Sequence, residues 1–252
     1  MPNPTPTKPT ATMPTAAMLV IGDEILSGRT RDANMHHLAN ELTKHGVDLA
    51  EVRIVSDHHP AIVAAVQALA KTYDHVFTSG GIGPTHDDIT ADAIAAAFNT
   101  PIDVRADARA RLAAHYARSG TELNEARLRM ARIPDGASLI DNPISTAPGF
   151  TLGNVHVMAG VPNIFAAMVA SLLPTITGGA PLLSLSLRIN RGEGEIAKPL
   201  GDLASEYADL AFGSYPFVKD GAYGANIVIR GTDPARLQQA MARLRALFPD
   251  GI

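Results

Sequence analysis

The sequence predicts a three-layer α/β/α domain on a mostly parallel, doubly wound sheet, followed by a small α+β domain. Three observations carry this. Ala16 to Gly22 (AAMLVIG) is a short apolar run ending in glycine, the pattern of a strand buried on both faces of a parallel sheet. Strand and helix patterns then alternate, which sets strands side by side with helices on both faces. Thr177-Gly178-Gly179-Ala180-Pro181 has the composition of a linker and places the main domain at 16–176 and the small one at 182–252.

Residues 1–15 precede this frame. Pro2, Pro4, Pro6, Pro9 and Pro14 lack amide donors and fix φ, so the segment is expected to be a disordered tail, with no apolar run for a signal-peptide core. After the first strand, Ala33 to His45 carries Leu38, Ala39 and Leu42 at helical spacing and stops at Gly46. Val47 to Val55 reads as the second strand, Ile62 to Lys71 as a helix behind Pro60, and Asp74 to Ser79 as the third strand. Helices are expected at Ile89 to Phe98, Arg105 to Ser119 and Glu122 to Ala131, before Pro134 and Gly136 interrupt the pattern. A hairpin through Gly153-Asn154, the strand Val155 to Met158 and a helix to about Leu173 close the main domain. In the small domain, Leu182 to Ile189, Leu210 to Tyr215 and Ala225 to Arg230 read as strands, and Ile196 to Tyr207 and Pro234 to Leu247 as helices.

Composition narrows the function classes. The 252 residues include no cysteine, which excludes disulfides, thiolate metal sites and a cysteine nucleophile, and fits a cytoplasmic protein. A net charge of -4, no tryptophan and 5% aromatic residues argue against a nucleic-acid partner. No stretch approaches the ~20 apolar residues of a membrane span.

Open parallel sheets bind ligands at the carboxyl ends of their strands. Function is therefore expected on the loops after Gly22, Val55, Ser79 and Met158. The richest is Ser79-Gly80-Gly81-Ile82-Gly83-Pro84-Thr85-His86-Asp87-Asp88-Ile89-Thr90. Gly80, Gly81 and Gly83 free the backbone for positive φ, so its amides can converge on an anion at the start of the following helix. Asp87 and Asp88 would repel a bare phosphate there; a divalent cation held by one or two carboxylates and phosphate oxygens reconciles the two. The plain alternative is a strand-to-helix turn capped by Asp88.

Asp23 and Glu24 follow the first strand and reach the same edge, to ligand a metal, orient ribose hydroxyls or cap a helix. Asn34 is placed to bond a ligand amide edge or to cap. Asp57 follows the second strand. Adjacent His58 and His59 point apart and do not clasp one ion. His86 is a candidate general acid or phosphate contact, or an exposed loop residue. Ala147-Pro148-Gly149-Phe150 and Gly160-Val161-Pro162 are rigid turns that let backbone approach a ligand.

Taken in order, Gly22-Asp23-Glu24-Ile25-Leu26-Ser27-Gly28, Asp32-Ala33-Asn34, the Ser79 to Thr90 run, Ala147-Pro148-Gly149-Phe150 and Gly160-Val161-Pro162 resemble the competence/damage-inducible protein A (CinA) family. Its main domain is of the molybdopterin-binding type. The resemblance runs from Ala16 to the C-terminus, and the second domain, with Gly213-Ser214-Tyr215-Pro216, looks like the one in CinA-like proteins and eukaryotic FAD synthases. It implies either molybdopterin binding or hydrolysis of a dinucleotide such as ADP-ribose or FAD at the pyrophosphate, using Mg²⁺ or Co²⁺, with K⁺ as a further candidate ion. Asp57 and Asp88 match acidic residues that matter in molybdopterin-handling relatives, whereas Asp23, Glu24 and Asn34 match the opening signature. Ala159 stands where a proline often precedes Gly-Val-Pro, and Ser145 where long CinA proteins often have glycine. The amidohydrolase domain that ends long CinA proteins has no counterpart in these residues, so that activity is not expected.

The leading expectation is a metal-dependent hydrolase of a nucleotide diphosphate. Asp57, Asp88 and His86 are its catalytic candidates, and Asp23, Asp87 and Asp88 its metal ligands. Gly22, Asp23, Glu24, Asn34, Ser79, Gly80, Gly81, Gly83, Pro84, Thr85, Thr90, Pro148, Gly149, Gly160 and Pro162 contact the nucleotide or pterin. A homodimer, with neither nucleic acid nor membrane as partner, completes the expectation.

Overall fold

The computed structural model describes residues 13–219 and 221–252. The predicted tail lies outside them except for its last residues, and Thr15 belongs to the first strand instead. Two compact units divide the chain, the first ending at Gly179 and the second running from Ala180 to Ile252.

The first unit contains β1 (Thr15–Ile21), α1 (Asp23–Leu26), α2 (Asn34–His45), β2 (Asp48–Val55), α3 (His59–Thr72), β3 (His75–Ser79) and α4 (Thr90–Ala97). It continues with β4 (Ile102–Val104), α5 (Ala106–Ser119), α6 (Glu125–Leu128), β5 (Arg132–Pro134), β6 (Ser138–Ile140), β7 (Gly149–Leu152), β8 (Val155–Met158) and α7 (Pro162–Leu172). Six strands form one sheet in the order β2-β1-β3-β8-β7-β6. The pairs β2–β1, β1–β3 and β3–β8 are parallel, while β8–β7 and β7–β6 are antiparallel.

β1 explains the layering. Alternate side chains point to opposite faces. Ala17, Leu19 and Ile21 enter one core with Ile62, Val66 and Leu69 of α3 and Ile94 of α4. Ala16, Met18 and Val20 enter the other with Leu38 and Leu42 of α2 and Phe165, Met168 and Val169 of α7. A strand with both faces buried needs apolar residues at every position, as its run has. Its neighbour β2, at the sheet edge, alternates exposed and half-buried residues.

Local signals explain several ends. Gly46 takes φ 72° and its amide bonds the Leu42 carbonyl, closing α2. Gly153 takes φ 58° between β7 and β8, as the hairpin reading requires. The expected helix from Glu122 to Ala131 shrinks to α6 and a 3₁₀ turn over Arg129–Ala131, because the chain must turn there to pair β5 with β4. β4 and β5 pair across a long separation, and β6 and β7 across a connection too long for a tight-turn signature, so these short strands carry no local hairpin signal.

The second unit contains β9 (Leu183–Ile189), α8 (Glu193–Glu206), β10 (Ala211–Lys219), β11 (Ala222–Gly231) and α9 (Pro234–Leu247). Its antiparallel sheet has the order β10-β11-β9. Leu187, Ile189, Ala225, Ile227 and Ile229 form its core with Ile196 and Leu203 of α8 and Leu237 and Leu244 of α9. Asp233 caps α9, accepting from the Ala235 amide at 2.8 Å and the Arg236 amide at 3.2 Å. Among the described residues, no helix is long and apolar enough to cross a membrane.

Candidate functional site

The parallel register brings the carboxyl ends of four strands together: Ile21 lies beside Val55, Val20 beside Ser79, and Ser79 beside Met158. The loops that follow enclose a cleft of about 490 Å³. Its lining includes glycines and carboxylates, from Glu24, Asp57, Gly80, Gly81, Gly83, Pro84, Asp87 and Asp88. The rest of the lining is mostly apolar, with Ile21, Ile82, Met130, Ala147, Ala159, Val161 and Ile164 beside Asn142, Ser145 and Gly160.

Two glycines are required by shape. Gly80 has φ 109° and Gly81 φ 69°. A Cβ on Gly80 would overlap the Ile21 carbonyl oxygen, and one on Gly81 would overlap the Thr90 hydroxyl. The Gly80 amide donates to the Met158 carbonyl at 3.2 Å, locking the turn to β8. Among the described residues, the amides of Gly81, Ile82 and Gly83 find no protein acceptor. The helix expected from Ile89 begins at Thr90, so a loop separates the glycines from its first turn. The helix whose first turn borders the cleft is α7, through Gly160, Val161 and Ile164. Its free N-terminal amides and dipole favour an anion there.

Asp57 is half-buried. Its Oδ2 accepts from the Asp23 amide at 2.9 Å. Burial raises its pKa; that hydrogen bond opposes the rise, and the charges of Asp23, Glu24 and Asp87 add to it. Among the described residues, no arginine or lysine lines the cleft to relieve this repulsion. Asp88 does not cap α4, whose N-cap is Ile89. Its Oδ2 instead accepts from Thr85, at 2.8 Å from the amide and 2.6 Å from the hydroxyl, closing the loop on itself.

Several expected ligand contacts also hold the loops to the fold. Asn34 is the first residue of α2 rather than its cap, and its Nδ2 donates to Ser79 Oγ at 2.7 Å and to the Gly160 carbonyl at 2.8 Å. It ties α2 to two cleft loops, with Oδ1 buried and unpartnered. Thr90 is buried, its hydroxyl donating to the Gly80 carbonyl at 2.9 Å. Gly22 is buried and its amide bonds Val55. Gly149 lies in β7, where a Cβ would overlap the Val157 carbonyl; Pro148 lines a small cavity behind the glycine turn. Pro162 opens α7 and is exposed.

Two further sets of expected residues are not brought together. Asp23, Asp87 and Asp88 do not converge: Asp23 does not line the cleft, and among the described residues no three His, Asp or Glu side chains form a metal-holding group. His86 is 98% exposed, with Nδ1 3.9 Å from Asp87 Oδ1, and stands outside the cleft lining.

Sequence reasoning missed Asn142, Met130 and Arg129. Asn142 is buried and organises the Ser145–Ala147 turn, with Nδ2 2.8 Å from the Ala147 carbonyl and Oδ1 accepting from the Ile144 and Ser145 amides at 3.1 Å. The dipeptide Asn142-Pro143 is a turn signal that could have found it. Arg129 donates to the Asp88 carbonyl at 3.2 Å, and nothing in its local sequence announces this. Ser145 and Ala159, the two departures from the family pattern, both line the cleft.

Residues 17–178 match the model of the probable molybdopterin-binding domain, and residues 181–252 that of the FAD synthase middle domain. A probable FAD synthase from Caenorhabditis elegans is 33% identical over 257 residues, covering 92% of this chain and 49% of that protein. A CinA-like protein from Citrifermentans bemidjiense is 38% identical over 167 residues, covering 64% of this chain and 40% of its own length. The chain thus spans about half the length of these curated relatives, or less. The crystal structure of CinA from Thermoplasma acidophilum, a protein described as having unknown function, superposes with TM-score 0.60 at 33% identity, covering 65% of this chain and 99% of that one. The chain belongs to the probable molybdopterin-binding domain family, among its CinA-like members, with a domain of the FAD synthase middle type following.

Proposed function

We propose that the cleft binds a phosphorylated nucleotide and that the chain hydrolyses its pyrophosphate bond, with ADP-ribose or FAD as the substrate class. The observation that carries this is the pairing of unpartnered amides at Gly81, Ile82 and Gly83 with carboxylates at Glu24, Asp57, Asp87 and Asp88 in one cleft. The amides hold the non-bridging phosphate oxygens and stabilise charge that develops on them. The apolar wall of Ile21, Ile82, Val161 and Ile164 takes the base. Asp57, its pKa raised, accepts the proton of the attacking water.

An all-oxygen donor set, with no arginine or lysine among the described lining residues, suits Mg²⁺ or Co²⁺. Because among the described residues no three such side chains converge, Asp87 would hold the ion only together with phosphate oxygens and water, leaving Asp57 free as the base. Bound there, the cation would neutralise phosphate charge. Relatives described as probable FAD synthases support a dinucleotide.

Purified protein with Mg²⁺ or Co²⁺ should convert ADP-ribose to AMP and ribose 5-phosphate. Absence of turnover of ADP-ribose and FAD with every divalent cation tried would end the hydrolase reading. The domain description favours a second reading, in which a pterin is bound and not cleaved. Calorimetric titration with molybdopterin in the absence of turnover distinguishes the two.

A further inference from the structure

The helix-free face of the second unit's sheet carries groups unlike those of the cleft. Strand alternation sends Leu187, Ile189, Ala225, Ile227 and Ile229 into the core, and puts Arg188, Asn226, Val228 and Arg230 on the opposite face. Tyr215 and Phe217 join them from β10, beside Asn226 and Gly224. Two glycines flatten this face. A Cβ on Gly224 would stand 2.8 Å from Phe217 Cε1, and one on Gly213 2.9 Å from Tyr215 Cε2, so each ring lies down over a glycine. Each ring also meets an arginine: the Arg188 guanidinium carbon is 4.2 Å from the Phe217 centroid, and that of Arg230 is 5.8 Å from the Tyr215 centroid. Arg230 Nη2 donates to the Tyr215 hydroxyl at 2.7 Å. Tyr215 is 44% exposed, and Ser184, Ser186, Asn226 and Arg230 are exposed with it. No carboxylate occupies these face positions, so their charge is wholly positive.

We propose that this face binds single-stranded nucleic acid. Bases stack on the Tyr215 ring and on the Arg188 guanidinium that caps Phe217, while Arg188 and Arg230 meet the phosphates. A duplex hides its base faces and is refused. A small nucleotide fits less well, because the face is flat and small ligands take concave sites. The expectation of no nucleic-acid partner averaged charge and aromatic content over the whole chain. Folding gathers two aromatic rings and two arginines onto one sheet, a concentration no average registers.

The test is fluorescence anisotropy of a short labelled oligouridine titrated with the full chain at low salt, against a duplex of equal length. The single strand should bind more tightly, with a log–log salt slope of about -1.4 for two phosphate contacts. Phe217→Leu, which still covers Gly224, and Tyr215→Leu should each weaken binding roughly 5- to 150-fold at an unchanged melting temperature. Arg188→Gln should lower the salt slope by about 0.7. Asp57→Asn should leave oligonucleotide affinity unchanged, which separates this face from the cleft. Equal affinity for the duplex, no binding at low salt, or folded Phe217→Leu and Tyr215→Leu variants that bind like the parent overturns the proposal.

Discussion

The main sheet carries a polar cluster at each end, and the two are built oppositely. At the carboxyl ends, Glu24, Asp57, Asp87 and the glycine turn line a cleft, with like charges together and, among the described residues, the Gly81 and Gly83 amides without an acceptor. Towards the amino ends, His75 and His156 are turned on each other: His75 Nδ1 lies 3.2 Å from His156 Nε2, and His156 Nδ1 lies 3.0 Å from Thr151 Oγ1. His156 is 3% exposed and packs against Phe77, with ring centroids 5.0 Å apart. The second cluster satisfies its own hydrogen bonds and joins β3, β7 and β8. The first leaves donors and charges unsatisfied, which costs stability and is retained where a ligand completes them.

The largest expected effect comes from filling the cleft's backbone. Gly80→Ala should destabilise by about 3 kcal/mol, through left-handed strain and overlap with the Ile21 carbonyl. A thermal melt should register a fall of roughly 6–12 °C, at ~2–4 °C per kcal/mol. A melting temperature equal to the parent's would mean that the turn is not held as described.

Asp57→Asn keeps an acceptor for the Asp23 amide and removes one of the crowded charges. Catalysis should fall by about 10²-fold or more while the melting temperature holds or rises. Loss of stability would place Asp57 with the structural cluster instead.

The histidine pair makes the opposite forecast, a pH-dependent stability with no direct role in the cleft. Burial lowers the His156 pKa to about 3, the neighbouring His75 adding to the effect, and burial lowers that of His75 as well. The unfolded chain therefore binds protons more readily than the folded one. The stability contributed by the neutral pair is fully present above ~6.5, the ordinary histidine value, and is lost as pH falls from there toward 3. The loss is on the order of a few kcal/mol, and melting temperatures recorded from neutral to acid should fall more steeply for the parent than for His156→Phe.

The smallest effect belongs to His86→Ala. A side chain this exposed and outside the cleft should leave kcat within about twofold of the parent. A tenfold loss of kcat would bring His86 back into the catalytic set.

Legibility from sequence differed between elements for physical reasons. β1, α2, β8 and α9 were readable because their determinants are local: an uninterrupted apolar run, Gly46, the Gly153 turn, and Asp233-Pro234. α1 was missed because a single turn is too short to show periodicity. β5 and β6 were missed because each has only three residues and no tight turn joins it to its partner. In the cleft, the glycine turn and Asp57 were found because strand ends locate loops. Asn142 and Arg129 were not, since they act through carbonyls and amides of other segments.

By itself the sequence determined the α/β order, the strand buried on both faces, the edge of the sheet where loops gather, and a turn at 80–83 free to take positive φ. These follow from hydrophobic period and backbone sterics, which neighbours along the chain decide. Only the tertiary structure decided which of the acidic residues face the cleft, that Asp88 bonds Thr85, that His86 and Asp23 stand aside, and that Arg188 and Arg230 stack on rings in the second unit. Side-chain direction and long-range pairing settle those questions, and they exist only once the sheets are assembled.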